Sequence, residues 1–221
     1  MRRSLAALAL AVGLTVAGQA EAAIVTVQQA VVSPTSSFTP FATGPGIAAD
    51  VASGSYLPNV SGNVPNQRRS PFEKTGAPDR AYQVLGAGNG GVGTATYLVA
   101  GPALALTWGS PDQNRNRIDF YASADASGTP FATVTGADIR ADGAAFLGIP
   151  NWNATSTGFV DVVISFANGE TFGSFVMSNA HAAAFEYAGL EVVPLPGAVV
   201  LLGTALVGLG AWRRRQARAA P

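Results

Sequence analysis

The side chain best suited to acid–base chemistry occurs once in this chain, as His181 within Asn179-Ala180-His181-Ala182-Ala183. A Ser-His-Asp arrangement therefore has one candidate base, and no G-x-S-x-G elbow accompanies it. We read His181 as an exposed residue of a loop ahead of the final strand. Cysteine is absent, which excludes thiolate nucleophiles, Cys-ligated metals and disulfides. One histidine and no cysteine also leave a zinc site short of ligands. The acidic residues between Ala23 and Val192 number twelve, enough in principle for a glycosidase pair, but no spacing singles out two of them. Most read as solvated strand faces and turns. We expect no catalytic residue, no cofactor and no metal ligand.

Two segments match ligand-binding patterns. Gly86-Ala87-Gly88-Asn89-Gly90-Gly91 fits G-x-G-x-x-G, but Val92-Gly93-Thr94-Ala95-Thr96-Tyr97 follows it and cannot open the helix whose N-terminus would hold a phosphate. A hairpin loop is expected there. Asp112-Gln113-Asn114-Arg115-Asn116 has alternating oxygen ligands like a calcium loop. It lacks the glycine and closing Glu of that loop, and Arg115 and Arg117 oppose a cation, so a turn closed by Asx hydrogen bonds is the better reading. The third candidate is Trp152 between Asn151 and Asn153, after Pro150. An aromatic ring in a polar loop with amides beside it could stack on a sugar of an extracellular polysaccharide; the plainer reading is that it caps an open end of the fold, as large aromatics usually do. Trp108 sits in a strand pattern and reads as core.

The elements that would position these residues are strands. Leu104, Leu106 and Trp108 alternate with Ala103, Ala105 and Thr107, and Val160, Val162, Ile164 and Phe166 alternate with Phe159, Asp161, Val163 and Ser165. Further strands are expected at Ile24 to Val32, Thr94 to Val99, Arg117 to Ala122, Phe131 to Thr135, Thr171 to Met177 and Ala184 to Val193. Ala167-Asn168-Gly169-Glu170 carries the Asn-Gly pair of a tight hairpin turn. Residues 33–81 are rich in Pro, Ser, Thr, Gly and Asn, which predicts long loops with a strand or two. With 26 glycines, 14 prolines and no amphipathic helical pattern, the chain predicts an all-β fold: one β-sandwich, jelly-roll-like, over residues 23–192.

Charge and hydropathy define the rest. The formal net charge is zero, but residues 23–192 hold seven basic and twelve acidic side chains, a net of −5 that argues against nucleic acid as a partner. Arg2 and Arg3, an apolar run from Leu5 to Ala17 and the small residues of Ala20-Glu21-Ala22 make residues 1–22 a signal peptide cleaved after Ala22, which implies signal peptidase and the general export machinery as partners. At the other end, Val193-Pro194-Leu195-Pro196-Gly197 precedes an uncharged apolar run from Ala198 to Trp212, followed by Arg213, Arg214 and Arg215. Those fifteen apolar residues cover about 22 Å as a helix against a hydrocarbon core of roughly 30 Å, so the span (194–212) is minimal and recruits its Pro-containing approach. The arginines beside both apolar runs mark the cytoplasmic side of the inner membrane and leave the body outside.

That C-terminal order, from Val193 to the basic tail 213–221, resembles the PEP-CTERM class of sorting signals in its VPLPA variant. The resemblance implies that Val193, Pro194, Leu195, Pro196 and Gly197 form a motif recognised by an exosortase, a membrane-embedded transpeptidase-like protease that removes the tail. Gly197 stands where the variant usually has Ala. The body resembles the exosortase-dependent surface proteins of cyanobacteria and proteobacteria. The matching pieces are Arg69-Ser70-Pro71-Phe72, Tyr82-Gln83-Val84-Leu85-Gly86, Trp108-Gly109-Ser110-Pro111-Asp112, Ile118-Asp119-Phe120-Tyr121 and Ala184-Phe185-Glu186-Tyr187. The stretch from Asp112 to Ile118 is one residue longer than usual, and Ala188-Gly189 replaces a common Asp-Asn pair. The resemblance implies display at the cell surface or in the extracellular matrix, after transient anchoring, and names no reaction.

Overall fold

The computed structural model describes residues 23–30, 44–65, 67–72, 79–86, 91–109, 111–112, 115–148, 159–167, 169–180 and 184–194. Residues 1–22 and 195–221, which hold both terminal apolar runs, lie outside that set. Among the described residues no helix is long and apolar enough to cross a membrane.

The fold is mostly strand, in two antiparallel sheets. The six-stranded sheet runs in the order β1 (Ala23–Ala30), β9 (Phe159–Phe166), β6 (Ala103–Gly109), β11 (Phe185–Val193), β4 (Tyr82–Leu85), β3 (Tyr56–Val60). The five-stranded sheet runs β2 (Val51–Gly54), β5 (Gly93–Tyr97), β10 (Ser174–Asn179), β7 (Asn116–Tyr121), β8 (Ala132–Thr135). The alternation read from the sequence decides what turns inward. Leu104, Leu106 and Trp108 of β6, Val160, Val162, Ile164 and Phe166 of β9, and Phe185 and Tyr187 of β11 join one buried cluster with Ala95, Tyr97, Ile118, Phe120, Val134, Phe175 and Met177 of the other sheet. Each large side chain so buried contributes about 1.5–3 kcal/mol.

Residues 44–60 supply β2 and β3, the two strands expected of that loop-rich stretch. Two expected hairpins are not hairpins. The Asn-Gly segment does turn, with the Gly169 N–H bonded to the Phe166 carbonyl at 3.2 Å. It nevertheless joins β9 of one sheet to β10 of the other. The glycine-rich segment after Gly86 likewise joins β4 to β5 across the two sheets. Periodicity marks a strand but not its partner, and here consecutive strands mostly belong to different sheets instead of pairing.

The second correction is a helix, α1 (Gly136–Leu147), where no helix was expected. Its sequence GADIRADGAAFL buries only Gly136, Ile139 and Gly143, so it lacks the apolar stripe that announces an amphipathic helix. Its ends were written more clearly. The Asp138 carboxylate accepts the Thr135 N–H at 2.8 Å and its hydroxyl at 2.7 Å, and Gly148 closes the helix in the left-handed region at φ 68. The helix packs against β1 and β8, the edge strands of the two sheets.

Candidate functional site

Several residues singled out from the sequence lie outside the described residues: His181, Trp152, Asn151, Asn153, Gln113, Asn114, Leu195, Pro196, Gly197, Arg213, Arg214 and Arg215. Among the described residues no group of three His, Cys, Asp or Glu side chains could hold a metal ion. The segment after Gly91 continues directly into strand β5. The turn at Asp112 closes through the backbone, the Arg115 N–H bonding the Asp112 carbonyl at 2.8 Å. Burial pushes the Asp112 carboxyl up, while Arg115 and Arg140 pull it down.

The two ends of the sheets are built differently. At one end the chain enters β1 and leaves β11. Val192 of β11, Leu104 of β6, Ile164 of β9 and Val25 of β1 stand in one register row. Three strand spacings separate the outer members of that row, about 14 Å. Ala23 and Val193 are therefore at the same end of the six-stranded sheet, paired with Phe166 and Ala103. Val193, the first residue of the expected sorting motif, is thus the last residue of a paired strand, and Pro194 after it is exposed. Proline has no N–H to extend the ladder, which suits a strand end.

The core beneath this end is phenylalanine. Phe120 packs against Phe166, Phe172 and Phe175 with centroids 5.1, 5.4 and 6.0 Å apart, and Phe131 packs against Phe166 at 4.9 Å. Phe172 and Gly101 exchange backbone hydrogen bonds at 2.9 Å, tying the β9–β10 connection to the β5–β6 connection. Aromatic pairs at such spacings add about 0.5–1.5 kcal/mol each beyond their burial.

Opposite lies the end bounded by Gly86, Gly93, Gly109, Asn116, Phe159 and Asn179. It is braced by polar groups. The Asn179 amide accepts the Gly93 N–H at 2.7 Å and donates to the Gly91 carbonyl at 3.1 Å. Gly86 sits against it at φ 75, where a Cβ would strike the Asn179 side chain. Trp108 and Phe185 pack beneath, 4.5 Å apart, and the Trp108 ring is fully buried.

Polar residues inside the fold were less legible. Tyr97 and Tyr187 hydroxyls meet at 2.7 Å between the sheets. Gln83 accepts from Tyr56 and Tyr97 at 2.7 and 3.0 Å. It donates to the Pro45 and Ile47 carbonyls at 2.8 and 2.7 Å, fastening residues 44–50 to the sheet. Burial pushes the phenols of Tyr97 and Tyr187 well up, and pushes Tyr82 up to about 12, where Glu186 adds to the shift and Arg68 opposes it.

Three acidic residues depart from the expected solvated faces: Asp119, Asp161 and Glu186 are buried. Asp161 accepts from the Thr107 hydroxyl at 2.6 Å. Asp119 pairs with Arg117 at 2.7 Å and accepts from Thr133 at 2.6 Å. Glu186 accepts the Arg69 N–H at 2.8 Å, a bond between segments 117 residues apart. Beside it Phe72, Tyr82, Val84 and Ala188 form a second apolar cluster, so residues 68–72 cover part of the outer face of the six-stranded sheet. The signal for Glu186 was its place between two inward aromatics, which requires it to turn to the opposite face.

Compared with protein-family models, curated proteins and solved structures, the chain matches none.

Proposed function

We propose that this chain is an exported, non-enzymatic protein of the cell surface or extracellular matrix, built as a β-sandwich of jelly-roll topology. Residues 1–22 carry it through the inner membrane, and residues 193–221 hold it there until an exosortase trims the tail. The topology rests on strand order: β4-β11-β6-β9 in one sheet and β5-β10-β7-β8 in the other follow the eight-strand jelly-roll pattern, with β1, β2 and β3 added at edges.

The observation that carries the sorting reading is the shared end from which the chain enters β1 and leaves β11. Two apolar segments bound for one membrane need exits on one side of the folded body. Had Ala23 and Val193 emerged at opposite ends, one of them would have needed a long return connection. Expressing the full chain in cells with and without an active exosortase tests the proposal. We expect a shortened, surface-exposed protein in the first and a membrane-retained protein in the second. An unprocessed cytoplasmic protein in both would refute it.

A second reading, a module that binds extracellular polysaccharide through Trp152, Asn151 and Asn153, draws on one observation. Phe159, which opens β9 directly after that segment, lies at the end away from the chain exits. Glycan-array binding that disappears in Trp152→Ala would support it; a flat array with folded protein would remove it.

A further inference from the structure

We infer that, while anchored, this protein lays the end of its sheets carrying Ala23 and Pro194 against the lipid bilayer and holds the opposite end, around Val92 and Asn179, outward. The inference rests on the membrane-anchoring part of the reading above and adds a direction to it.

The length of chain beyond the fold sets the geometry. Pro194 follows the last paired residue, and only Leu195, Pro196 and Gly197 separate it from the apolar run at Ala198. Four residue steps span at most about 14 Å even when fully extended. Before signal cleavage the N-terminal side is similar: Gly18 to Ala22 separate the apolar run from Ala23, at most about 20 Å. Both tethers are shorter than the body they hold, since β9 alone, at eight residues, is about 27 Å long. Their attachment points lie about 14 Å apart on one end. The C-terminal tether alone is short enough to keep that end nearest the membrane, and before signal cleavage the second tether acts on the same end.

Which residues lie where follows from the pairing. Tyr97, Phe172, Ser174 and Tyr121 close the five-stranded sheet at the exit end. Gly93, Asn116 and Asn179 close it at the other. Asp125 and Glu191 are exposed and belong to the exit end, beyond Tyr121 of β7 and near the last residue of β11, and they give that end a negative surface. Anionic lipid repels such a surface, so the short tether and not lipid attraction holds this end nearest the membrane, without insertion.

The absence of cysteine makes the test clean, because a single introduced thiol is the only one labelled. Thr171 is exposed at the exit end and Val92 is exposed at the opposite end. Thr171→Cys and Val92→Cys, each carrying a fluorescent donor, would be made in the full chain and reconstituted into vesicles of phosphatidylethanolamine and phosphatidylglycerol with a headgroup-linked acceptor. We expect energy transfer from position 171 to exceed that from position 92 several-fold. Equal or reversed transfer, in protein that floats with the vesicles, overturns the orientation and leaves the anchoring intact. Protein that does not float with the vesicles overturns both.

Discussion

The end where the chain enters and leaves is secured by aromatic packing, whereas the opposite end is secured by amide hydrogen bonds to glycine-rich backbone. Phe120, Phe131, Phe166, Phe172 and Phe175 interlock beneath the exits. At the other end Asn179 bonds both Gly91 and Gly93, and Gly86 lies against it. The difference has a physical reason. Packed rings resist displacement whatever the strand termini do, which suits an end proposed to carry tethers. Close backbone contacts at Gly86 and Gly93 instead fix the strand ends by conformation and by hydrogen bonds from one buried amide. The first end thus owes its stability to buried area and the second to conformation.

Breaking the first end should cost most. Phe172→Ala and Phe120→Ala each remove a fully buried ring, and about 3–5 kcal/mol of unfolding free energy should be lost in urea titration of the body alone, residues 23–194. At the second end Asn179→Ala strands the buried Gly93 N–H and should cost about 1–3 kcal/mol in the same titration. Gly86→Ala should add a penalty of about 1 kcal/mol from its positive φ, and more from contact with Asn179. If Asn179→Ala proved costlier than Phe172→Ala, the contrast between the ends would be inverted. Removing the Thr135 hydroxyl should have the smallest effect, about 1 kcal/mol or less, because the Asp138 carboxylate keeps the backbone bond.

Alkali probes the region between the ends. The folded-state pKa values of Tyr82, Tyr97 and Tyr187 are raised above the ordinary phenol value near 10. The unfolded chain therefore loses these protons first. The stability that depends on the neutral phenols is complete below pH 10 and falls as pH rises, for Tyr82 through about 12. Tyrosinate absorbance should appear together with unfolding, while early, reversible ionisation of all three in the folded protein would contradict their burial.

Strand positions were the most legible feature of the sequence. The phase of Leu104, Leu106 and Trp108 and of Val160 to Phe166 told which side chains turn inward, because side chains alternate strictly along a strand. Boundaries moved by one to three residues, as at Thr171 to Met177, which became Ser174–Asn179. Pairing was not legible, since the Asn-Gly turn and the glycine-rich segment serve sheet crossings as readily as hairpins. Helix α1 was missed because Ala and Gly fill the positions where a stripe of large apolar residues would stand, although Thr135-x-x-Asp138 and Gly148 marked its ends. Of the candidate site, Val193 and Pro194 fall within the described residues, and there the expected motif overlaps the last strand by one residue, as the expected strand from Ala184 to Val193 already implied. The partners of Glu186 and Gln83 were hidden, because Arg69 and Tyr97 reach them through the fold, not along the chain.

The most direct measurement is the intact mass of the native protein recovered from the cell surface. The account predicts a chain that begins at Ala23 and ends after the folded body, short of the arginines at 213–215. A mass that still includes Met1 or extends to Pro221 would contradict it.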